Sequence, residues 1–314
     1  MNILVTGGCG YTGSILVNSL LEDNHKVTVI DTMWFGNYLK KNKRLKIIKL
    51  DIRNYEKIPL KNVSTVFHLA NIANDPSVEL NPALSWEVNV LATQKLIEKC
   101  IEFNVKQFIY ASSGSVYGFK KEKKVTENLS LLPISVYNKT KMIAERVLMS
   151  YANKIKVHMI RPATVCGYSP RMRFDVSVNM LTLQALTKGK ITVFGGSQIR
   201  PNIHILDLIN VYKHFLKNRN FESGAYNAGF ENISILNLAK KIQKIIPCKI
   251  IVKPNNNDKR SYRQNSDKLF LTSFKKNFTI EDAIIDIKNR YNNKSLKILP
   301  SSYTVSWMKQ KRIK

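Results

Sequence analysis

The stretch Asn2-Ile3-Leu4-Val5-Thr6-Gly7-Gly8-Cys9-Gly10-Tyr11-Thr12-Gly13 decides how this chain folds. Its apolar opening, Asn2–Thr6, reads as a short strand buried on both faces, and residues 15–21 carry the spacing of a helix. Gly7, Gly10 and Gly13 lie between the two. One glycine allows a tight turn, a second lets backbone come close to a pyrophosphate, and a third lets helix pack on strand. The N-terminus of the following helix then offers unbonded N–H groups and a partial positive charge to phosphate oxygens.

Outward from this turn, apolar and β-branched runs recur at 26–30, 45–50, 65–70, 107–111 and 157–160, with long helical patterns at 83–103 and 137–151. Strands alternating with helices predict βαβ units, hence an α/β fold built on a doubly wound parallel sheet. Past Pro162 the rhythm loosens, with turn-rich breaks at Gly195-Gly196, 218–224 and 253–258. Residues 1–165 are therefore expected to form a dinucleotide-binding domain, and 166–300 a smaller α/β substrate-binding region partly interleaved with it. Residues 301–314 read as a basic, loosely ordered tail.

Asp31 closes the second strand about 20 residues beyond the glycine turn, where a carboxylate bonds the hydroxyls of an adenosine ribose. The same charge repels a 2′-phosphate, and no arginine follows Asp31 closely in sequence, so NAD is expected rather than NADP. Asp51, followed by Ile52, closes the third strand and suits either an adenine-edge contact or a strand-end cap.

Tyr137 and Lys141 stand four apart on a predicted helix and so share a face. A phenol with an ordinary pKa of about 10 is a poor base at neutral pH. A neighbouring ammonium and a positively charged nicotinamide favour the phenolate and lower that value. Lys141 also suits a ribose hydroxyl of the cofactor. Ser113, at the end of the fifth strand in Ser112-Ser113-Gly114-Ser115-Val116-Tyr117-Gly118, brings a hydroxyl to the same substrate oxygen. This set suits carbonyl–alcohol redox chemistry with a nicotinamide.

Composition sets the outer bounds. The 314 residues, 44% hydrophobic and 23% charged, suffice for one large core or two modest ones and exclude a disordered or fibrous chain. No apolar run approaches the roughly 20 residues that span a bilayer. Met1 leads almost directly into Ile3-Leu4-Val5, without a signal-peptide pattern, so a cytoplasmic protein with no integral membrane association is expected. Cys9, Cys100, Cys166 and Cys248 lie far apart and fit reduced thiols rather than a disulfide framework or a metal site. The net charge of +28 comes from lysines scattered among Asn and Ile, which reads as coding bias rather than a nucleic-acid surface. Such a field still favours an anionic substrate.

Taken together, these motifs resemble the extended short-chain dehydrogenase/reductase family, in particular its NAD-dependent epimerases and dehydratases of nucleotide sugars. The resemblance spans 1–286 and rests on the glycine turn, Asp51-Ile52-Arg53, His68-Leu69-Ala70, the Ser112–Gly118 run, Tyr137 with Lys141, and Arg161-Pro162. It implies a Rossmann-type fold and a catalytic trio of Ser113, Tyr137 and Lys141. It also implies cofactor contacts from Gly7, Gly10, Tyr11, Thr12, Gly13, Asp31, Asp51, Ile52, Leu69 and Ala70, together with Tyr137, Lys141 and Asn89.

The same resemblance makes Arg200 and Arg260 the arginines that meet a substrate diphosphate, and places Asn179 near the sugar. Gly114-Ser115 stands where the 4,6-dehydratases carry an Asp-Glu pair, which disfavours dehydration. The run from Ser169 to Asp175 is similar to a subgroup from surface-polysaccharide pathways that also includes 4-dehydrogenases. The expected activity is C4 epimerisation of a nucleoside-diphosphate sugar by a homodimer with tightly held NAD. One-way oxidation at C4, reduction of a ketosugar, or a non-catalytic NAD-binding regulator are the alternatives.

Overall fold

Side chains of the opening strand, β1 (Asn2–Thr6), alternate between two cores, with Ile3 and Val5 in one and Leu4 in the other. A strand buried on both faces belongs inside a sheet covered by helices. The structure, a computed structural model, describes residues 1–254 and 263–313. The remaining strands are β2 (Lys26–Asp31), β3 (Leu45–Lys49), β4 (Thr65–His68), β5 (Gln107–Ala111), β6 (Lys156–Pro162), β7 (Thr164–Cys166), β8 (Lys190–Phe194), β9 (Ile199–His204), β10 (Gly224–Ala228), β11 (Glu231–Ser234) and β12 (Lys249–Lys253). Seven of them form one sheet in the order β10-β6-β5-β4-β1-β2-β3, parallel throughout.

Helices Tyr11–Glu22 and Ile205–Lys217 cover one face, around Leu16, Val17, Leu20, Tyr212 and Phe215. Helices Ala92–Glu102 and Val136–Ser150 cover the other, around Leu96, Ile97, Ala144 and Leu148. The fold is the doubly wound α/β arrangement expected from sequence. The strand order reverses between β1 and β4, and a crevice opens there beyond the strand ends. Two small sheets, β11-β9-β7 and the parallel pair β12-β8, belong to the second half of the chain. Helices Ser177–Lys188, Ile235–Ile245 and Ile280–Asn292 pack with them in a separate core. β10 nevertheless returns to the first sheet beside β6.

Three elements depart from the sequence reading. The continuous helix expected at 83–103 is Pro82–Trp86, a wide π-type turn at Glu87–Leu91, and Ala92–Glu102. β10 arises from a stretch that followed a turn-rich break and carried no strand signal. The C-terminal residues are not a loose tail: helix Thr304–Gln310 forms, and Ser301, Ser302, Thr304 and Met308 are buried. Trp307 Nε1 donates to the Trp34 carbonyl at 2.7 Å, and Met308 joins the core under the second sheet face.

Candidate active site

At the β1/β4 reversal the glycine turn meets the loop after β4. Gly7 sits at φ 72°, and a Cβ there would fall 2.6 Å from the Ala70 nitrogen. A Cβ on Gly13 would fall 2.2 Å from the Gly7 carbonyl oxygen, so neither position admits a side chain. His68 fixes this junction from beneath, with Nδ1 2.7 Å from Thr6 Oγ1 and Nε2 2.8 Å from Thr93 Oγ1. Burial pulls its pKa down to about 3, so the ring is neutral. No side chain caps helix Tyr11–Glu22, which leaves the N–H groups of its first turn open to an anion.

Gly7, Gly10, Tyr11, Thr12 and Gly13 line a cavity of about 830 Å³. Asp31 joins them at the end of β2, accepting the Cys9 N–H at 2.9 Å and the Met33 N–H at 2.7 Å. Burial raises its pKa, and those two backbone donors oppose the rise. Its remaining lone pairs suit ribose hydroxyls. A glycine cradle, an uncapped helix start and a carboxylate at the neighbouring strand end are the donor set a dinucleotide requires, and the cavity accommodates them together.

Ser113, Tyr137 and Lys141 line the same cavity. Ser113 Oγ accepts the Ser115 N–H at 3.2 Å and lies 2.7 Å from Ser115 Oγ. Tyr137 opens helix Val136–Ser150, which Ser135 caps by accepting the Asn138 N–H at 3.2 Å while its hydroxyl donates to Asp75. Lys141, one turn on, is 1% exposed and donates to the Ala111 carbonyl at 2.6 Å and the Tyr110 hydroxyl at 3.2 Å. Burial draws its pKa down to about 7, against the opposing charge of Glu145.

Behind the trio lies a polar network that sequence reading missed. Glu145 is paired with Arg161 at 2.6 and 2.8 Å and accepts the Ser112 hydroxyl at 2.5 Å. Arg161 also donates to Tyr117 Oη at 2.7 Å, which donates to Asn227 Oδ1 at 2.8 Å. The Ser113 loop, the Tyr137 helix, β6 and β10 are thereby tied together. Glu145 sits four residues after Lys141 on the same helix face, a spacing that was legible but reads equally as a solvated residue.

The other expected contacts divide. Asp51, Ile52, Leu69, Ala70 and Arg200 line the cavity, although Asp51 also pairs with Arg53 at 2.9 Å. Two asparagines do not line it. Asn89 is fully buried in the wide turn, where it accepts the Ile72 N–H at 2.8 Å and donates to the Ile72 carbonyl and Thr140 Oγ1. It braces the cavity wall from outside rather than contacting a cofactor. Asn179 is likewise buried, its amide taken up by Gly167, the Tyr11 hydroxyl and the Arg173 carbonyl. Arg260 lies outside the described residues.

Other lining residues were not anticipated: Arg171, Arg173 and Asp175 before helix Ser177–Lys188, and Thr304 and Met308 from the C-terminus. Arg173 Nε meets Asp175 at 2.8 Å, and Asp175 accepts the Thr304 N–H at 3.2 Å.

A model of the NAD-dependent epimerase/dehydratase family matches residues 3–229. A Bacillus subtilis (strain 168) relative, the uncharacterized UDP-glucose epimerase YtcB, is 34% identical over 260 residues, covering 78% of this chain and 82% of its own length. A UDP-glucose 4-epimerase from Thermotoga maritima, solved with UDP-glucose, has a similar structure, with a TM-score of 0.84 and 26% identity over 95% of this chain and 100% of that one. A UDP-glucuronic acid 4-epimerase from Bacillus cereus, in complex with UDP-glucuronic acid and NAD, gives a TM-score of 0.80 and 28% identity over 93% and 100% of the two chains.

Proposed function

The chain belongs to the NAD-dependent epimerase/dehydratase family, and on that premise we propose that it is a C4 epimerase of a nucleoside-diphosphate sugar. The observation that carries this reading is one cavity lined by the glycine turn, by Ser113, Tyr137 and Lys141, and by Arg200. Bound NAD supplies a hydride acceptor and donor for the sugar C4, so the net reaction needs no added oxidant.

The protein's own groups do the rest. Tyr137 takes the proton of the C4 hydroxyl through its phenolic oxygen and returns it after the ketosugar has turned over. Ser113, whose oxygen already receives the Ser115 N–H, directs its proton at the same sugar oxygen. Lys141 favours the phenolate by its charge and holds a ribose hydroxyl of the cofactor. Asp31 holds the adenosine ribose, and Arg200 meets the substrate diphosphate. At the dehydratase acid/base position Ser115 carries a hydroxyl, and a Cβ on Gly114 would lie 3.0 Å from Gln264 Oε1. No carboxyl group stands there to expel water.

Relatives named for UDP-sugars make UDP-glucose, UDP-galactose and UDP-glucuronic acid the first substrates to try. Purified protein without added cofactor should interconvert one C4 pair, read by NMR of the anomeric protons. Tyr137→Phe should lose this activity while keeping NAD bound. Full activity in that variant, or formation of reduced cofactor in place of an epimer, contradicts the proposal.

We further infer a homodimer that works in the cytoplasm on sugars destined for surface polysaccharides. Trp86, Leu91 and Met149 are 37%, 56% and 39% exposed around the two long helical stretches, which favours a self-association surface there. Cys9, Cys100, Cys166 and Cys248 are free thiols, in keeping with a reducing compartment. The run from Ser169 to Asp175 supports the polysaccharide assignment by its resemblance.

A further inference from the structure

Arg171 is 4% exposed, lines the cavity, and is used by no step above. Its guanidinium stacks on the Phe35 ring at 4.1 Å and donates through Nη2 to Thr304 Oγ1 at 3.3 Å. Nε has no hydrogen-bond partner, and among the described residues no carboxylate lies within ion-pair distance of this group. A buried cation left in that state is costly unless a ligand brings the missing negative charge.

Its surroundings say which ligand. The charge of Arg171 is felt at Asp31, at Tyr11 where the glycine-turn helix begins, and at Tyr38. Burial, with Arg173 close by, has drawn the guanidinium pKa down to about 9 against the opposing charge of Asp175, which does not form an ion pair with it. Arg200, the candidate for the substrate diphosphate, comes from β9 in the second half of the chain.

We propose that Arg171 binds the diphosphate of the bound dinucleotide, presented to it by Phe35 and by Thr304 of the C-terminal segment. The glycine turn serves those oxygens from one side with backbone N–H groups, and Arg171 serves them from the facing wall with a fork of N–H donors. Thr304 orients the fork, which gives the C-terminal segment a part in holding the cofactor. The proposal rests on the NAD reading of the site and not on epimerisation.

Affinities of cofactor-free protein for NAD, NADP, ADP, adenosine and UDP test it. Arg171→Gln should weaken NAD and ADP by about 10- to 100-fold, the scale of a lost charge-assisted hydrogen bond, and leave adenosine and UDP unchanged. Arg171→Lys should recover part of the loss, and Thr304→Val should weaken NAD and ADP several-fold. The two milder variants keep the test decisive should the glutamine variant fold poorly. Unchanged NAD affinity overturns the proposal, as does an equal loss for adenosine and ADP. A loss confined to UDP would move Arg171 to the substrate diphosphate, and one confined to NADP would make it a 2′-phosphate reader; both contradict the assignment. If the unaltered protein fails to bind NAD, the cofactor reading falls as well. Absence of epimerisation alone leaves the proposal standing.

Discussion

Lys141 shows how one residue combines two demands. In its proposed role it favours the Tyr137 phenolate, and it is 1% exposed, so burial gives its amine a folded-state pKa of about 7 against an ordinary 10.5. Between those values the folded state binds fewer protons at this site than the unfolded chain, so this group makes stability rise with pH from about 7 to about 10.5. Urea unfolding of cofactor-free protein at pH 7 and pH 10 measures the effect: Lys141→Met should gain less over that interval than the unaltered chain, and equal gains contradict the account. The candidate trio was the most legible part of the site, because Ser113, Tyr137 and Lys141 carry chemistry that chance spacing rarely assembles, and they line one cavity with the glycine turn. Arg171 was not legible. Its neighbours Phe35 and Thr304 lie far away along the chain, and only folding brings them together. Asn179 was placed by resemblance, and its amide is taken up by the backbone of Gly167 and Arg173 away from the cavity lining, since an amide that suits a sugar also suits backbone.

Among the elements, helix Val136–Ser150 carries the most function and is held by more than apolar contact. The Glu145–Arg161 pair is almost fully buried and joins this helix to β6. Glu145→Gln should destabilise the protein by about 3–5 kcal/mol, because it leaves the Arg161 guanidinium buried without its counter-charge. Denaturant unfolding reads this directly, and a loss below about 1 kcal/mol, the usual value of an exposed pair, contradicts it. Strands β1, β4 and β5 were legible because a strand buried on both faces shows a short continuous apolar run, as in Ile3-Leu4-Val5. β10 was not, since it is short, and polar Asn227 near its end is satisfied by distant Val125, Asn265 and Tyr117. The wide turn at Glu87–Leu91 was hidden for a related reason: it coincides with the bonding of Asn89 to Ile72, a tertiary interaction that helical periodicity does not record. The C-terminal helix was masked by its lysines, which drew attention from the buried Thr304 and Met308.

At the scale of the whole molecule, the doubly wound sheet places the glycine turn and the helix carrying Tyr137 and Lys141 at one crevice, and the second half of the chain lines it with Arg200, Arg171 and the C-terminal segment. The basic surface adds long-range attraction for a substrate carrying two phosphates. Self-association belongs to this scale. Light scattering should give a mass of twice 36.0 kDa, and Leu91→Glu, which puts a charge at the most exposed of the three apolar side chains, should give monomers. A monomeric unaltered chain contradicts the dimer. In the proposed reaction the hydrogen removed from C4 goes back to the same carbon. A UDP-sugar carrying deuterium at C4 tests it most directly. The expected product is epimerised and retains the deuterium at C4, with no reduced cofactor released. Deuterium lost to released cofactor, with a ketosugar left behind, would contradict it.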